Sequence, residues 1–510
     1  LSARIFSERT ENLLFRNITI MALLSALSLS GVQRSVAQAD TVVIVSLDGF
    51  RADYLERYDT PNIDWVIEHG MTAEDGMRPV FPTTTFPNHY SMATGLYPQD
   101  HGIVGNTFFD PDIDEWFYIS NKDAQNDPRW WYGEPFWKTV EQAGRKAATF
   151  FWVGSEVEGN RASRWQPYAS VPFSQRVDSL QAWLSLPDAE IPSLIALYFP
   201  EPDGSGHQYG PFSQEMGQKV SEMDQWVGSI VDVIQGFQSN RKITLLVVSD
   251  HGMEKQNGQA IYLSDYISDQ DVVRSVVGPS FDLTVPEDKV DSILQSLVGA
   301  HPELDVYAVN ETPEEWKIAM HPRRGQIVGS STPGWYIRWD RSQSVYTGGT
   351  HGYDNRHPSM FALFAAYGPG IEPGKAIPSF DIIHVHKLVL SLLGLPSPEG
   401  SSSSLEPFLQ ALSTSKEGTP GHQLNVGVKA HPNPFNTFTT ITYTIPTSSR
   451  VRIVATDLLG RHVSTLVDGE VKPAGSHSIQ FAAENLASGT YLIRVEAERF
   501  LGTQRVVLLK

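Results

Sequence analysis

Cysteine is absent from all 510 residues, which excludes disulfides and thiolate metal sites. Basic residues are scarce: 39 Lys and Arg face 58 Asp and Glu, a net charge of -19. A surface of that sign repels a phosphate backbone, so no stable nucleic-acid partner is expected. A small anionic substrate stays compatible, because bound dications reverse the local field. Repeats of solenoid length are missing, and so are apolar runs long enough to span a bilayer. The mostly apolar stretch Ile18–Leu29 is too short for that. Arg16 precedes it and Ala37-Gln38-Ala39 follows. Residues 1–39 therefore read as an upstream segment and signal peptide with cleavage after Ala39; an internal apolar helix is the competing reading.

Acids and histidines, by contrast, recur where strand-like runs end. TVVIVS at Thr41–Ser46 leads to Asp48, LIALYF at Leu194–Phe199 to Asp203, and ITLLVVS at Ile243–Ser249 to Asp250-His251. Short apolar runs rich in β-branched residues and bounded by turns read as buried strands of a parallel sheet. Ligand sites in open α/β sheets lie beyond the carboxyl ends of the strands, so these three acids are expected on one edge. His207 follows Asp203 by four residues and His351 sits in a Gly-rich turn, while Thr83-Thr84-Thr85 supplies a hydroxyl. Taken singly, each acid could be a turn former and each His a hydrogen-bonded core or surface residue. Jointly, six N/O ligands around a hydroxyl suit two zinc ions that activate an alcohol against phosphorus.

Length alone suggests two to four domains. After Leu395 the composition shifts to PSPEGSSSS, and Ser413–Gly421 is again polar with Gly and Pro. This predicts a catalytic domain over 40–395, a linker over 396–423 and a further domain over 424–510. In the last, β-type segments Thr439–Ile445, Val451–Thr456, Ser476–Phe481, Thr490–Val495 and Thr503–Leu509, with turns such as Asp468-Gly469 between them, predict a small β-sandwich. No catalytic constellation is visible in it.

The segments VSLDGFRADYL, RPVFPTTTFPNHYSMATGLYPQDHGIVGN, FWVGSEVEG, YFPEPDGSGHQYGP, VVSDHGM and GGTHGYDN together resemble the nucleotide pyrophosphatase/phosphodiesterase family of the alkaline phosphatase superfamily. The resemblance implies an α/β fold with a mostly parallel sheet flanked by helices. It implies two Zn2+, one on Asp203, His207 and His351, the other on Asp48, Asp250 and His251 with the nucleophile. It selects Thr85, directly before Phe-Pro-Asn, as that nucleophile; the residues alone leave Thr83 and Thr84 open. A phospho-threonine intermediate is implied, with Asn106 as side-chain donor to a phosphoryl oxygen. Phe86 and Tyr168 match the pair that stacks on a nucleobase, and Ile119 an apolar contact; that Phe86 and Tyr168 are core aromatics is the competing reading. Trp130-Trp131-Tyr132 reads as pocket wall or lid. Thr84 stands where many members carry lysine, which removes a positive charge near the site.

HPNPFN, DLLGR and LASGTYLIRVEA, ending in VVLLK, resemble the C-terminal sorting domain of type IX secretion. That resemblance implies passage through the periplasm, handling by the secretion machinery, and a cell-surface or extracellular destination. The competing readings are the same fold acting on glycerophosphodiester head groups or on phosphate or sulfate monoesters, and a catalytically degenerate binding protein displayed on the surface.

Overall fold

The computed structural model describes Val36 and residues 38–237, 239–318, 321–342, 347–413, 427–445, 448–457, 461–483, 486–497 and 500–510. The chain divides into two compact units, Leu1–Ser415 and Lys416–Lys510.

Eight strands of the first unit form one mixed sheet: β1 (Thr41–Leu47), β2 (Met71–Ala73), β3 (Ala147–Phe150), β4 (Arg164–Gln166), β5 (Leu194–Phe199), β6 (Ile243–Val248), β7 (Phe364–Tyr367) and β8 (Lys375–Ile377). Their spatial order is β8-β2-β7-β6-β1-β5-β3-β4. β1 runs parallel to β5 and β6, and β3 parallel to β5 and β4. β7 is antiparallel to both neighbours. β1, β5 and β6 are buried along their whole length, which is why they stand in the sequence as unbroken apolar runs.

Alternate residues of these strands point to opposite faces. Val42, Ile44, Ala196, Leu246 and Val248 share a core with α2 (Thr85–Thr94) and α6 (His384–Leu392). Val43, Val45, Ile195, Leu197 and Val247 share the other with α1 (Pro61–Glu68), α3 (Ser174–Leu184) and α5 (Gln214–Gly236). Between them in sequence lies α4 (Asp203–Tyr209). An insertion between β6 and β7 builds a separate antiparallel sheet from Arg274–Val276, Ser280–Thr284, Ile327–Ser331 and Leu304–Ala308. Phe281, Leu283, Ile293 and Ile327 give it its own core.

The stretch expected to be linker, 396–423, is not uniform. Phe408, Ala411 and Leu412 join the core under α6 and β7, and Phe408 packs edge-on against Phe380 at 4.7 Å. Hydrogen bonds add to this anchorage, with Ser402 N–H donating to the Gly95 carbonyl at 2.9 Å and Ser404 N–H to His384 Nδ1 at 3.0 Å; residues 414–423 lie outside the described residues. The same holds for the signal segment through Ser35 and for Ala37. Ala39 is buried, and its N–H donates to the Leu392 carbonyl at 2.8 Å. Among the described residues no helix is long and apolar enough to cross a membrane.

The second unit is a β-sandwich. One sheet pairs Gly427–His431, Phe438–Ile445 and Gly475–Ala482; the other pairs His462–Lys472, Ser449–Asp457, Gly489–Ala497 and Phe500–Leu508. Ile441, Tyr443, Ile453, Phe481, Ile493 and Val495 fill the space between. Asp468-Gly469 is not a turn. It lies inside His462–Lys472, where the pairing slips between Val451↔Glu470 and Arg452↔Asp468. Gly469, at φ 71°, takes the left-handed conformation that a bulge of this kind needs.

Candidate active site

The sheet itself assembles the acids. β1 lies between β5 and β6, so residues just past their ends are neighbours. Backbone bonds lock them together: Asp203 N–H donates to the Asp48 carbonyl at 2.9 Å, and Gly49 N–H donates to Asp250 Oδ1 at 3.1 Å. Gly49 is at φ +67°, and a Cβ there would stand 2.9 Å from Asp203 Cα; no other residue allows this approach. His207 lies one turn along α4 from Asp203. The Gly-rich turn before His351 fits because a Cβ on Gly348 would come within 1.8 Å of the His207 carbonyl oxygen.

Each of three imidazoles is turned the same way. His207 Nδ1 faces the Gly349 carbonyl at 3.0 Å, His251 Nδ1 that of Gly252 at 2.9 Å, and His351 Nδ1 that of Thr83 at 2.9 Å. A carbonyl only accepts, so each Nδ1 carries a proton, and each ring in its neutral form presents an Nε2 lone pair. Those lone pairs face carboxylates. His207 Nε2 is 3.4 Å from Asp203 Oδ2, and His351 Nε2 is 3.5 Å from Asp203 Oδ1. His251 Nε2 is 3.5 Å from Asp48 Oδ1 and 3.1 Å from Asp250 Oδ2. His207 Nε2 and His351 Nε2 are themselves 3.2 Å apart. The buried oxygens Asp48 Oδ1 and Asp203 Oδ1 have no hydrogen-bond donor, and Asp250 Oδ2 has only His89 Nδ1, at 3.2 Å.

Acceptor therefore packs against acceptor, an arrangement that cations between them satisfy. Two ligand groups have all their donor atoms within 4.8 Å of one another: Asp48 with Asp250 and His251, and Asp203 with His251 and His351. His207 adjoins the second through the contacts above. The donor set, imidazole nitrogen and carboxylate oxygen without sulfur, is one that zinc accepts.

Electrostatics of the metal-free cluster record the same crowding. Burial, then the charges of Asp250 and Asp203, push the Asp48 carboxyl well above the usual range. Burial also raises Asp203, against the pull of His207 and His251. Burial opposes ionisation of Asp250 too, but His251, His89 and the Gly49 N–H outweigh it and hold this carboxyl low. Burial, with His251 and His207 nearby, drives His351 far below its ordinary value.

Geometry separates the three threonines. Thr83 Oγ1 donates to the Tyr353 carbonyl at 3.1 Å and accepts from Gly352 N–H at 2.9 Å, a structural role. Thr84 caps α2. Thr85 opens α2, and its Oγ1 is 3.4 Å from His251 Nε2. Asn106 Oδ1 accepts from Phe86 N–H at 3.0 Å, which fixes the side chain beside this helix start.

Two residues outside the expected site residues brace the cluster. His89, one turn after Thr85 and fully buried, places Nδ1 3.0 Å from the Thr85 carbonyl and 3.2 Å from Asp250 Oδ2, while Nε2 meets Ser46 Oγ at 2.8 Å. Tyr198 donates to Asp48 Oδ2 at 2.5 Å. The i,i+4 spacing of Thr85 and His89 was the one available signal for the first; nothing in LIALYF singles out the second.

The aromatic side is looser. Phe86 is largely buried against Phe117 and Trp131, with ring centroids 6.0 and 6.2 Å away. Trp130 and Trp131 are buried wall residues. Tyr168, 42% exposed, rests edge-on against Phe151 at 5.1 Å. Lys122 Nζ lies 5.3 Å over its ring and pairs with Glu156 at 3.3 Å. Ile119 is exposed, and its N–H donates to the Asn106 carbonyl at 3.1 Å. A separate cavity of about 330 Å³ opens beside the ligands and is lined by Thr84, Asn106, His207 and His351, among others.

A helix-flanked mixed sheet with acids and histidines massed at one strand edge defines an alkaline-phosphatase-like hydrolase fold. Residues 42–354 match the family model for type I phosphodiesterase / nucleotide pyrophosphatase, and the chain belongs to that family. It is 38% identical over 387 residues to human ectonucleotide pyrophosphatase/phosphodiesterase family member 1, covering 72% of this chain and 42% of the relative. It is 36% identical over 386 residues to venom phosphodiesterase 2 of Crotalus adamanteus, covering 72% and 47%. The chain thus spans less than half the length of these curated relatives. An inactive threonine-to-alanine variant of murine ectonucleotide pyrophosphatase/phosphodiesterase 5, solved with AMP, superposes with a TM-score of 0.68 at 31% identity, over 74% of this chain and all of that one. Residues 429–509 match the secretion system C-terminal sorting domain, a module that marks proteins for export.

Proposed function

We propose that the chain is an exported two-zinc phosphodiesterase that hydrolyses nucleotide phosphodiester or pyrophosphate bonds. The observation that carries this is the packing of three imidazole Nε2 atoms against the carboxylates of Asp48, Asp203 and Asp250, two of whose buried oxygens lack any donor, with Thr85 Oγ1 at its margin. Asp203, His207 and His351 hold one ion; Asp48, Asp250 and His251, with Thr85, hold the other. When bound, the ions lower the pKa of a hydroxyl and offset charge on phosphoryl oxygens.

Thr85 Oγ1 attacks phosphorus, the ester or anhydride oxygen opposite leaves, and a phospho-threonine forms. Water then cleaves that intermediate and restores the hydroxyl. Because its Oδ1 is occupied by Phe86 N–H, Asn106 presents its amide NH2 to a phosphoryl oxygen; such a donor contributes about 3 kcal/mol where charge develops. Phe86, Tyr168 and Ile119 border the nucleobase. The AMP-bound relative and the names of the curated relatives support a nucleotide substrate. The C-terminal unit directs the chain from the periplasm across the outer membrane through the type IX machinery.

Metal analysis with steady-state kinetics on a substrate panel tests this reading. About two zinc ions per chain are expected, with a much higher kcat/KM for a nucleoside 5′-(4-nitrophenyl phosphate) than for 4-nitrophenyl phosphate. A preference for monoesters or for glycerophosphocholine overturns it.

A further inference from the structure

A phosphodiester or pyrophosphate carries two substituents on the phosphorus attacked, so its site needs two exits. The aromatic border of Phe86 and Tyr168 serves one. The cavity of about 330 Å³ is lined neither by these residues nor by Thr85. It is walled instead by His207, His351 and Asn106 of the site together with Arg274, Phe109 and Trp116. Its volume is within the range of ordinary ligand pockets.

Charge in this cavity is not evenly spent. Arg323, on its wall, is committed to Asp110 at 2.5 Å and to the Gly102 and Trp130 carbonyls at 2.7 Å. Arg324 is paired with Asp282 at 3.4 Å. Arg274 differs: its guanidinium stacks 4.1 Å over the Phe109 ring, and among the described residues no carboxylate lies within 4.0 Å of it. Stacking on an aromatic face fixes the plane of a guanidinium while leaving its N–H fork free to bind an anion. In a chain of net charge -19, an uncompensated cation held in a half-buried cleft beside the metal ligands calls for an anionic occupant.

We propose that this cleft is the leaving-group subsite, and that Arg274 binds a phosphate of the departing half of a nucleoside polyphosphate. The inference rests on the phosphodiesterase reading above and adds to it which half of the substrate is recognised there, and by which residue. Arg274 stands in the insertion, remote in sequence from every motif of the site. Thr84, where a lysine is common in similar chains, also lines this cleft, so the positive charge missing at one wall is supplied from another.

The test compares zinc-loaded wild type with Arg274→Gln on ATP, whose leaving group is pyrophosphate, and on adenosine 5′-(4-nitrophenyl phosphate), whose leaving group carries no phosphate. The two substrates share the nucleotide half. Arg274→Gln should lower kcat/KM for ATP by roughly tenfold, the loss of about one charged hydrogen bond, and leave the nitrophenyl ester within about twofold of wild type. Arg274→Lys should restore part of the ATP activity. An equal fall on both substrates assigns Arg274 to holding Phe109 and the fold, and overturns the proposal; so does no change on either. Wild type that cleaves the ester but not ATP also overturns the subsite while sparing the phosphodiesterase reading. Wild type that cleaves neither removes the reading on which both rest.

Discussion

The ligand cluster and the aromatic border are built in opposite ways. In the cluster the imidazoles are fixed from behind. Each imidazole is tied through Nδ1 to a backbone carbonyl, and His251 and His351 are stacked at 3.7 Å. At the border, Tyr168 and Ile119 are exposed, and Tyr168 rests on the Phe151 ring at 5.1 Å with the Tyr198 ring at 6.3 Å. Rigid second contacts suit groups that must hold ions to within fractions of an ångström; a flat, exposed ring suits a surface that accepts different bases. The contrast predicts that the cluster sets rate and the border the choice of substrate. Each prediction below strikes one side and asks whether the other responds.

The largest effect is expected from Thr85→Ala. Removing the nucleophile should cost turnover at least about 10³-fold on every substrate, while metal content stays near that of wild type because six protein ligands remain. Elemental analysis of the purified variant checks the second half. Retained activity in Thr85→Ala with loss in Thr84→Ala would put the nucleophile one residue earlier.

Next comes removal of metal. A chelator should abolish turnover and lower Tm, since metal-free packing leaves donorless oxygens buried. The sign of the pH dependence follows from the raised carboxyls. Asp48 and Asp203 have folded pKa values above their unfolded ones, so protons compete for these oxygens at a higher pH than for ordinary carboxylates. Ligands must be deprotonated to bind. The gain in Tm on adding zinc should therefore be greatest at slightly alkaline pH and shrink steadily as pH falls towards 5. A gain that is independent of pH, measured by differential scanning calorimetry, would show that the ions are not held by these acids.

What could be read in the sequence follows the same division. β1, β5 and β6 are buried on both faces, so each appears as an apolar run with its acid within four residues of its end, and three acids on one edge follow from that alone. His89 and Tyr198 touch the same acids but lie inside a helix and a strand, where a polar or aromatic residue has many other uses. The insertion sheet was missed because its strands are short and half-buried, with patterns such as Ser280–Thr284 that carry polar residues at alternate positions. Arg274 went unread with it. In the tail, Asp468-Gly469 has the composition of a turn but serves as a bulge, because its flanking residues still pair with Ser449–Asp457.

The anchored stretch after Leu395 gives a prediction of intermediate size. A chain ending at Ser413 keeps Phe408, Ala411 and Leu412 in the core and should retain wild-type Tm and turnover. A chain ending at Leu395 loses all three, and Phe408→Ala alone should cost about 3–5 kcal/mol of unfolding free energy, the usual range for a buried Phe. Equal denaturant midpoints for the two truncations would show that this contact adds nothing to stability. Neither truncation should leave the cell, because both lack the sorting module.

The smallest effect is expected at the border, and it decides what the border is for. Tyr168→Ala should lower kcat/KM for a nucleotide diester by about 1–3 kcal/mol, the worth of one base–aromatic stack. Bis(4-nitrophenyl) phosphate, which has no base to stack, should be scarcely affected. The exposure of Tyr168 matters to this expectation. A ring that is open to solvent loses little packing when truncated, so the fold should be indifferent and the variant's Tm close to that of wild type. Lys122, which lies over the same ring and is paired with Glu156, should stay anchored by that carboxylate. If both diesters lose equally, Tyr168 is supporting Phe151 and the wall behind Phe86 rather than a base, and the border belongs with the cluster as machinery for rate. If the nucleotide diester alone suffers, the division holds, and binding energy gathered at a distance from phosphorus is being used in the transition state.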